Sequence, residues 1–180
     1  MSAIDPRPRY DAPLRWMHWS MFVLVLLAYL FINVFTLFPR GSALRANILA
    51  SHFLAGLAVL LLVLPRVWLR RRLARPPIMP PLARGVDVLG KITHAALYAF
   101  LLVQPLLGVA TLQVGGKPVA LFGVTLLPAF VSPPDRALSK QLEHLHGTIG
   151  TVFYWVIGLH ILVALWHHYG RRDNTLQRML

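Results

Sequence analysis

Residues 143–171 read EHLHGTIGTVFYWVIGLHILVALWHHYGR, and no Asp, Glu, Lys or Arg interrupts the 27 residues between Glu143 and Arg171. At about 1.5 Å of rise per residue, such a run crosses a ~30 Å hydrocarbon core as one helix. Ionisable side chains are costly inside a bilayer, so the histidines it carries are functional candidates. His146 and His160 stand fourteen residues apart. At about 100° per residue that is roughly 40° short of four full turns, with a rise of roughly 21 Å, so both project from one face near opposite leaflets. A hydrolytic metal centre needs ligands that converge on one point, and this separation forbids it. Two haems stacked across the membrane, each taking one iron ligand from this helix, satisfy it.

The rest of the chain supplies the bundle that such a helix needs. Arg15 to Arg40, Arg45 to Arg66 and Lys91 to Lys117 bracket three more uncharged stretches. The chain is therefore predicted to be an all-α membrane protein, a four-transmembrane-helix bundle forming a single unit over 1–180, with spans at approximately 14–38, 46–69, 90–113 and 140–169. Composition agrees: 57% of the 180 residues are hydrophobic and 13% charged, with a mean hydropathy of +0.61, too apolar for a water-soluble domain of this size. A fifth uncharged stretch, Pro118 to Pro134, is shorter and broken by Pro118, Pro128, Pro133 and Pro134. It reads as an apolar flap on the membrane surface. The first span is longer than a signal-peptide h-region and lacks a small-residue cleavage site, so it is expected to stay in the mature protein. Pro13 suits a first helical position behind Asp11, and Pro39-Arg40-Gly41 provides a stop.

The formal charge of +12 reports topology. Arg7, Arg9 and Arg15 precede the first span; Arg66, Arg70, Arg71, Arg72, Arg75, Arg84 and Lys91 are placed between the second and third; Arg171, Arg172 and Arg178 follow the fourth. Arg40, Arg45, Lys117, Arg136 and Lys140 remain for the other side. By the positive-inside rule both termini face the cytoplasm, in a multi-pass protein of a bacterial inner membrane. The lipid bilayer is the expected partner and no nucleic acid is, since a basic, proline-rich loop explains Arg70 to Pro81. Self-association into a homo-oligomer is compatible with the sequence. No cysteine is present, which excludes disulfides, thiolate metal sites, iron–sulfur clusters and covalent haem attachment through Cys-x-x-Cys-His.

Each iron needs a second imidazole. His52, near the outer end of helix two, matches His146 in depth, and His18, just inside helix one, is left for the inner haem with His160. His167 lies about 20° off the face of His160 and competes for that role. The distance from His146 to His167, about 31 Å, would push both irons into the headgroups, so His160 is preferred. Gly56 and Gly147 either let a flat macrocycle approach the backbone or serve ordinary helix packing. His144 and His168 read as interfacial histidines. His94 and His167 remain, both near the cytoplasmic face. They are candidates to hydrogen-bond the head of ubiquinone, with Lys91 a weaker one, or they simply bond neighbouring helices.

The run Leu14-Arg15-Trp16-Met17-His18-Trp19, the loop Pro76-Pro77-Ile78-Met79-Pro80, and the tail from Ile157-Gly158-Leu159-His160 through His167-His168-Tyr169 to Asp173-Asn174-Thr175-Leu176 resemble the bacterial cytochrome b561 family, closest to its superoxide oxidase members. The likeness covers nearly the whole chain; the loop from Lys117 to Lys140 departs from it. It implies two haem b groups with His18, His52, His146 and His160 as axial ligands of the haem iron. It also implies electron transfer from periplasmic superoxide to ubiquinone as acceptor, which makes the chain a superoxide oxidase (superoxide:ubiquinone oxidoreductase). Five outer cations against Asp135 and Glu143 would steer a small anion. The competing reading is a cytochrome b subunit that links a dehydrogenase or hydrogenase to the quinone pool. A divalent-metal transporter fits less well, because no Asp or Glu lies in the first two spans or between Lys91 and Lys117.

Overall fold

A computed structural model describes residues 9–180; Arg7 lies outside the described residues. Four long helices dominate: α1 (Ala12–Val34), α2 (Ala43–Arg72), α3 (Arg84–Val114) and α4 (Arg136–Tyr169). All four are long and apolar enough to cross a membrane. A short 3-10 turn, Phe35–Leu37, extends α1, and another, Gln177–Met179, ends the chain. Local chemistry sets the starts. Pro13 occupies the first turn of α1, where its missing N–H costs nothing. Ser42 Oγ accepts from Arg45 N at the start of α2, and Asp135 Oδ1 accepts from Leu138 N at 2.9 Å at the start of α4.

The helices overrun the spans read from charge. Arg70, Arg71 and Arg72 extend α2, Arg84 begins α3 and Arg136 begins α4, all beyond the expected spans, and Arg66 and Lys91, read as lying between helices two and three, are helical too, so the loop there is shorter than those basic residues suggested. The physical reason is that a helix does not stop at the hydrocarbon boundary. Long basic side chains reach the headgroups from residues still in the helix.

Consecutive helices pack as two antiparallel pairs, α1 with α2 and α3 with α4, joined by α2 against α3. Buried Met21, Val59 and Val63 centre the first contact, with Leu24, Tyr98 and Leu101 packed around them. Side chains bridge α1 to α4: Tyr29 stacks on Tyr154 with centroids 4.1 Å apart and donates to the Gly150 carbonyl at 2.8 Å. Large apolar residues face outward, Trp155 at 80% exposure and Leu162 at 65%. That is the reverse of a water-soluble bundle and is the surface that lipid covers.

The proline-broken stretch forms a hairpin of β1 (Val119–Leu121) and β2 (Val124–Leu127). Both turn residues, Phe122 and Gly123, have positive φ, as a two-residue type I′ turn requires. Val119 and Leu121 are buried against the helices; Phe122, Val124 and Leu126 are exposed.

At the opposite end, which carries most of the basic residues, the C-terminal tail folds back under the bundle. Tyr10 N donates to the Arg178 carbonyl at 2.9 Å and Trp19 Nε1 to the Met179 carbonyl at 2.8 Å. Asn174 Oδ1 accepts from Met79 N at 2.8 Å, and its Nδ2 donates to the Pro77 carbonyl. Asp173 is the hub. Its carboxylate, 2% exposed, meets His167 Nδ1 at 2.5 Å and Arg171 Nε at 3.1 Å and accepts from Thr175 N at 2.8 Å. Burial alone would raise its pKa, but the hydrogen bonds from His167 and Thr175 outweigh that and hold the carboxyl below the usual aspartate range.

A carboxyl whose pKa is depressed by folding stabilises the fold above its unfolded pKa, and that contribution is lost as pH falls through the folded one. Asp173→Ala is therefore expected to lower stability by roughly 1–3 kcal/mol at neutral pH. In thermal melts in detergent, the gap between variant and wild type should close only below about pH 4.

Candidate functional site

His52 on α2 and His146 on α4 face each other near the hairpin end, with ring centroids 6.2 Å apart and planes at 84°. Each Nδ1 is already engaged. His52 Nδ1 bonds the Ala28 carbonyl of α1 at 2.9 Å, and His146 Nδ1 bonds the Gln104 carbonyl of α3 at 3.1 Å. A carbonyl can only accept, so each imidazole donates from Nδ1 and keeps the Nε2 lone pair free, the state a metal ligand needs. Gln104 Nε2 returns a bond to the His146 carbonyl at 2.7 Å, which locks α3 to α4 at this level.

The spacing also fits an iron. Two imidazoles on opposite sides of one metal, each bound at about 2 Å with its centroid about 1.1 Å farther out, place their centroids a little over 6 Å apart. Around the pair lies a cavity of about 310 Å³, lined mainly by apolar groups and including Val25, Phe53, Phe100, Leu112 and Val119. Gly56, one turn beyond His52, and Gly147, next to His146, line it too, and a Cβ on either would meet no heavy atom within 4 Å. Those glycines leave flat open space beside the histidines, room that suits a macrocycle.

A second group lies toward the basic end. His160 on α4 packs against His94 on α3, ring centroids 5.6 Å apart, and His18 on α1 is an electrostatic neighbour of both. The structure thus makes His18 a neighbour of His160, a pairing that simple depth favoured no more than His18 with His167, and adds His94 to them. Between the two levels Phe100 of α3 stacks on Phe153 of α4, centroids 4.2 Å apart and nearly parallel. Phe153 is seven residues, roughly 10 Å, from each of His146 and His160.

His167, left over from the iron assignment, is 4% exposed and held by Asp173, which leaves only Nε2 for another partner. His144 is exposed; His168 is half-buried. Gln104, which anchors His146 through both its carbonyl and its amide, escaped the sequence reading. Its signal was present: a lone amide in the middle of an uncharged span.

A four-helix membrane bundle with paired, Nε2-free histidines across a glycine-floored apolar cavity is a haem-binding membrane cytochrome of the b type. A family model described as prokaryotic cytochrome b561 matches residues 9–180. The chain is 30% identical over 172 residues to "Cytochrome b561 homolog 1" of Escherichia coli (strain K12), covering 96% of this chain and 97% of that protein. It is 32% identical over 163 residues to "Probable superoxide oxidase CybB" of Yersinia pestis, covering 91% and 90%. The chain belongs to the prokaryotic cytochrome b561 family, whose members are membrane electron-transfer proteins that bind haem b.

Leucine at position 56 would project into the open space beside His52 while favouring the helix by about 1 kcal/mol over glycine. Gly56→Leu is expected to keep full helicity by circular dichroism and to lower the haem-to-chain ratio. A normal haem content would show that this space is not where the macrocycle lies.

Proposed function

We propose that this chain is a di-haem superoxide:ubiquinone oxidoreductase, with His52 and His146 holding an outer haem b and His18 and His160 an inner one. The observation that carries the reading is the His52–His146 pair, ring centroids 6.2 Å apart with both Nδ1 atoms committed to carbonyls, fourteen residues or roughly 21 Å along α4 from the second histidine group. When bound, the haems supply one-electron centres on the two sides of the membrane.

The protein's own residues do the rest. The basic end, with thirteen of the eighteen Lys and Arg counted there in the sequence, faces the cytoplasm and sets the hairpin end outside. There Arg40, Arg45, Lys117, Arg136 and Lys140 face only Asp135 and Glu143, and Asp135 is committed to capping α4. This excess of cations draws superoxide to the outer surface. His52 and His146 would hold the haem on that side, which when bound would supply a one-electron acceptor for the anion. At the cytoplasmic side His94 and His167 are the groups for a ubiquinone head; Asp173 holds the Nδ1 proton of His167, so its Nε2 lone pair is left to accept from the hydroxyl of the reduced quinone. The superoxide assignment draws on the Yersinia pestis relative's name.

Purified protein should carry two low-spin b-type haems and reduce ubiquinone when superoxide is supplied, with no second polypeptide. His52→Ala or His146→Ala should remove one haem, and His18→Ala or His160→Ala the other, read by haem-to-chain ratio. If superoxide elicits no reduction while a dehydrogenase or hydrogenase partner restores it, the chain is an electron-transfer subunit. Separately, His94→Phe and His167→Phe should slow quinone reduction with both haems retained; unchanged turnover in both variants would place the quinone elsewhere.

A further inference from the structure

Arg66 is a cation in an apolar place. It sits on α2, six residues before that helix ends, and is 7% exposed. Its hydrogen-bond partners are neutral: the Leu14 carbonyl of α1 at 2.5 Å and the Tyr98 hydroxyl of α3. Arg70, one turn on, donates to the Tyr10 hydroxyl at 2.6 Å and lies over that ring, 5.2 Å from its centroid. Arg178 of the tail lies over the same ring at 5.4 Å, and its Nε is shielded from solvent with no hydrogen-bond partner.

Among the described residues, no carboxylate forms an ion pair with Arg66, Arg70 or Arg178. The acid closest to hand, Asp173, is committed to His167, Arg171 and Thr175. A guanidinium does not shed its proton in a protein, and a buried cation without an anion is strongly destabilising. Arg66 is buried, Arg70 and Arg178 are half-buried beside the same tyrosine, and together they ask for an anion.

Position says where that anion comes from. Arg66 is an electrostatic neighbour of His18, and Arg70 and Arg178 are electrostatic neighbours of His94. The cluster therefore borders the histidine group at the basic end. Arg66 is walled off from lipid and water, so an anion that reaches it has to be presented from within the bundle. A haem b carries two carboxylate side chains, and the planar guanidinium fork matches a carboxylate in bidentate fashion.

We propose that Arg66, together with Arg70 and Arg178, is the binding site for the propionate carboxylates of the haem held at the basic end, an inference that rests on the two-haem reading above. Removing a cation beside a haem favours the ferric state, which carries one more positive charge, so the midpoint potential falls.

The test is an optical redox titration of the purified full-length protein together with its haem-to-chain ratio. Two haems in the wild type establish the two-haem reading independently; a single haem would end that reading whatever Arg66 does. R66Q should either lose the basic-end haem or shift its reduction equilibrium about tenfold toward the ferric form, about 59 mV for one electron, with the outer haem unchanged. R66K, which restores the charge, should recover much of the shift. Because Arg66 also ties α2 to α1, R178Q serves as the second probe: the Arg178 side chain bonds the Pro76 carbonyl of the α2–α3 loop and no helix, and its loss should shift the same haem in the same direction by less. Unchanged potentials and haem content in both R66Q and R178Q overturn the proposal. So does a loss of co-purifying phospholipid phosphorus with unchanged potentials, which would assign the cluster to a lipid phosphate.

Discussion

An imidazole inside a bilayer has one N–H and one lone pair, and water is not there to satisfy the N–H. In this protein the backbone takes that role. The Ala28 and Gln104 carbonyls, both in helix interiors, lend a second acceptor site to His52 and His146. That single bond fixes the tautomer, aims Nε2 inward and spans two helices, so each histidine both anchors a neighbour and stays available to a metal. The rest of the hairpin end follows from it: small residues at 56 and 147 to keep the space open, Gln104 to hold α3 against α4, and Val119 of the hairpin to line the cavity.

The two ends of the bundle are built on different chemistry. The hairpin end is apolar and closed by packing, with polar bonds confined to a few places such as Tyr29, Asn33 and Tyr154. The basic end is a network in which the tail, the α2–α3 loop and the start of α1 exchange hydrogen bonds around Asp173, Asn174 and Tyr10. A mid-membrane aromatic stack, Phe100 on Phe153, separates them. Each histidine group thus sits in its own dielectric environment.

Much of this was legible in the chain. Charge-free runs locate four helices because lipid forbids charge, and a fourteen-residue spacing locates two levels because helical geometry is rigid. The pairing of His52 with His146 followed from depth alone. What escaped did so for physical reasons. Reading every arginine as a boundary placed Arg66 in a loop, although a helix can bury a cation when a carbonyl and a hydroxyl receive it. The contact of His94 with His160 is tertiary, and neither residue's local sequence announces it. His167 was read as a quinone candidate or as a bond to a neighbouring helix, and the Asp173 that holds it lies six residues on, past the helix end, where periodicity no longer applies. The hairpin could be excluded as a helix by its prolines, but its strand register depends on a two-residue turn with positive φ that composition does not reveal.

The bonds between Tyr10 and Arg178, and between Trp19 and Met179, join nearly the first described residue to nearly the last. This has a bearing on biogenesis. Helices leave the translocon in order, and α1 can pair with α2 as soon as both have inserted, but the seam at the basic end has no partner until Arg178 and Met179 have been translated. The His18 level therefore shuts after the His52 level, which is complete once α4 has entered the bilayer. A chain that stopped before Asp173 would insert all four helices and still leave that end unsealed.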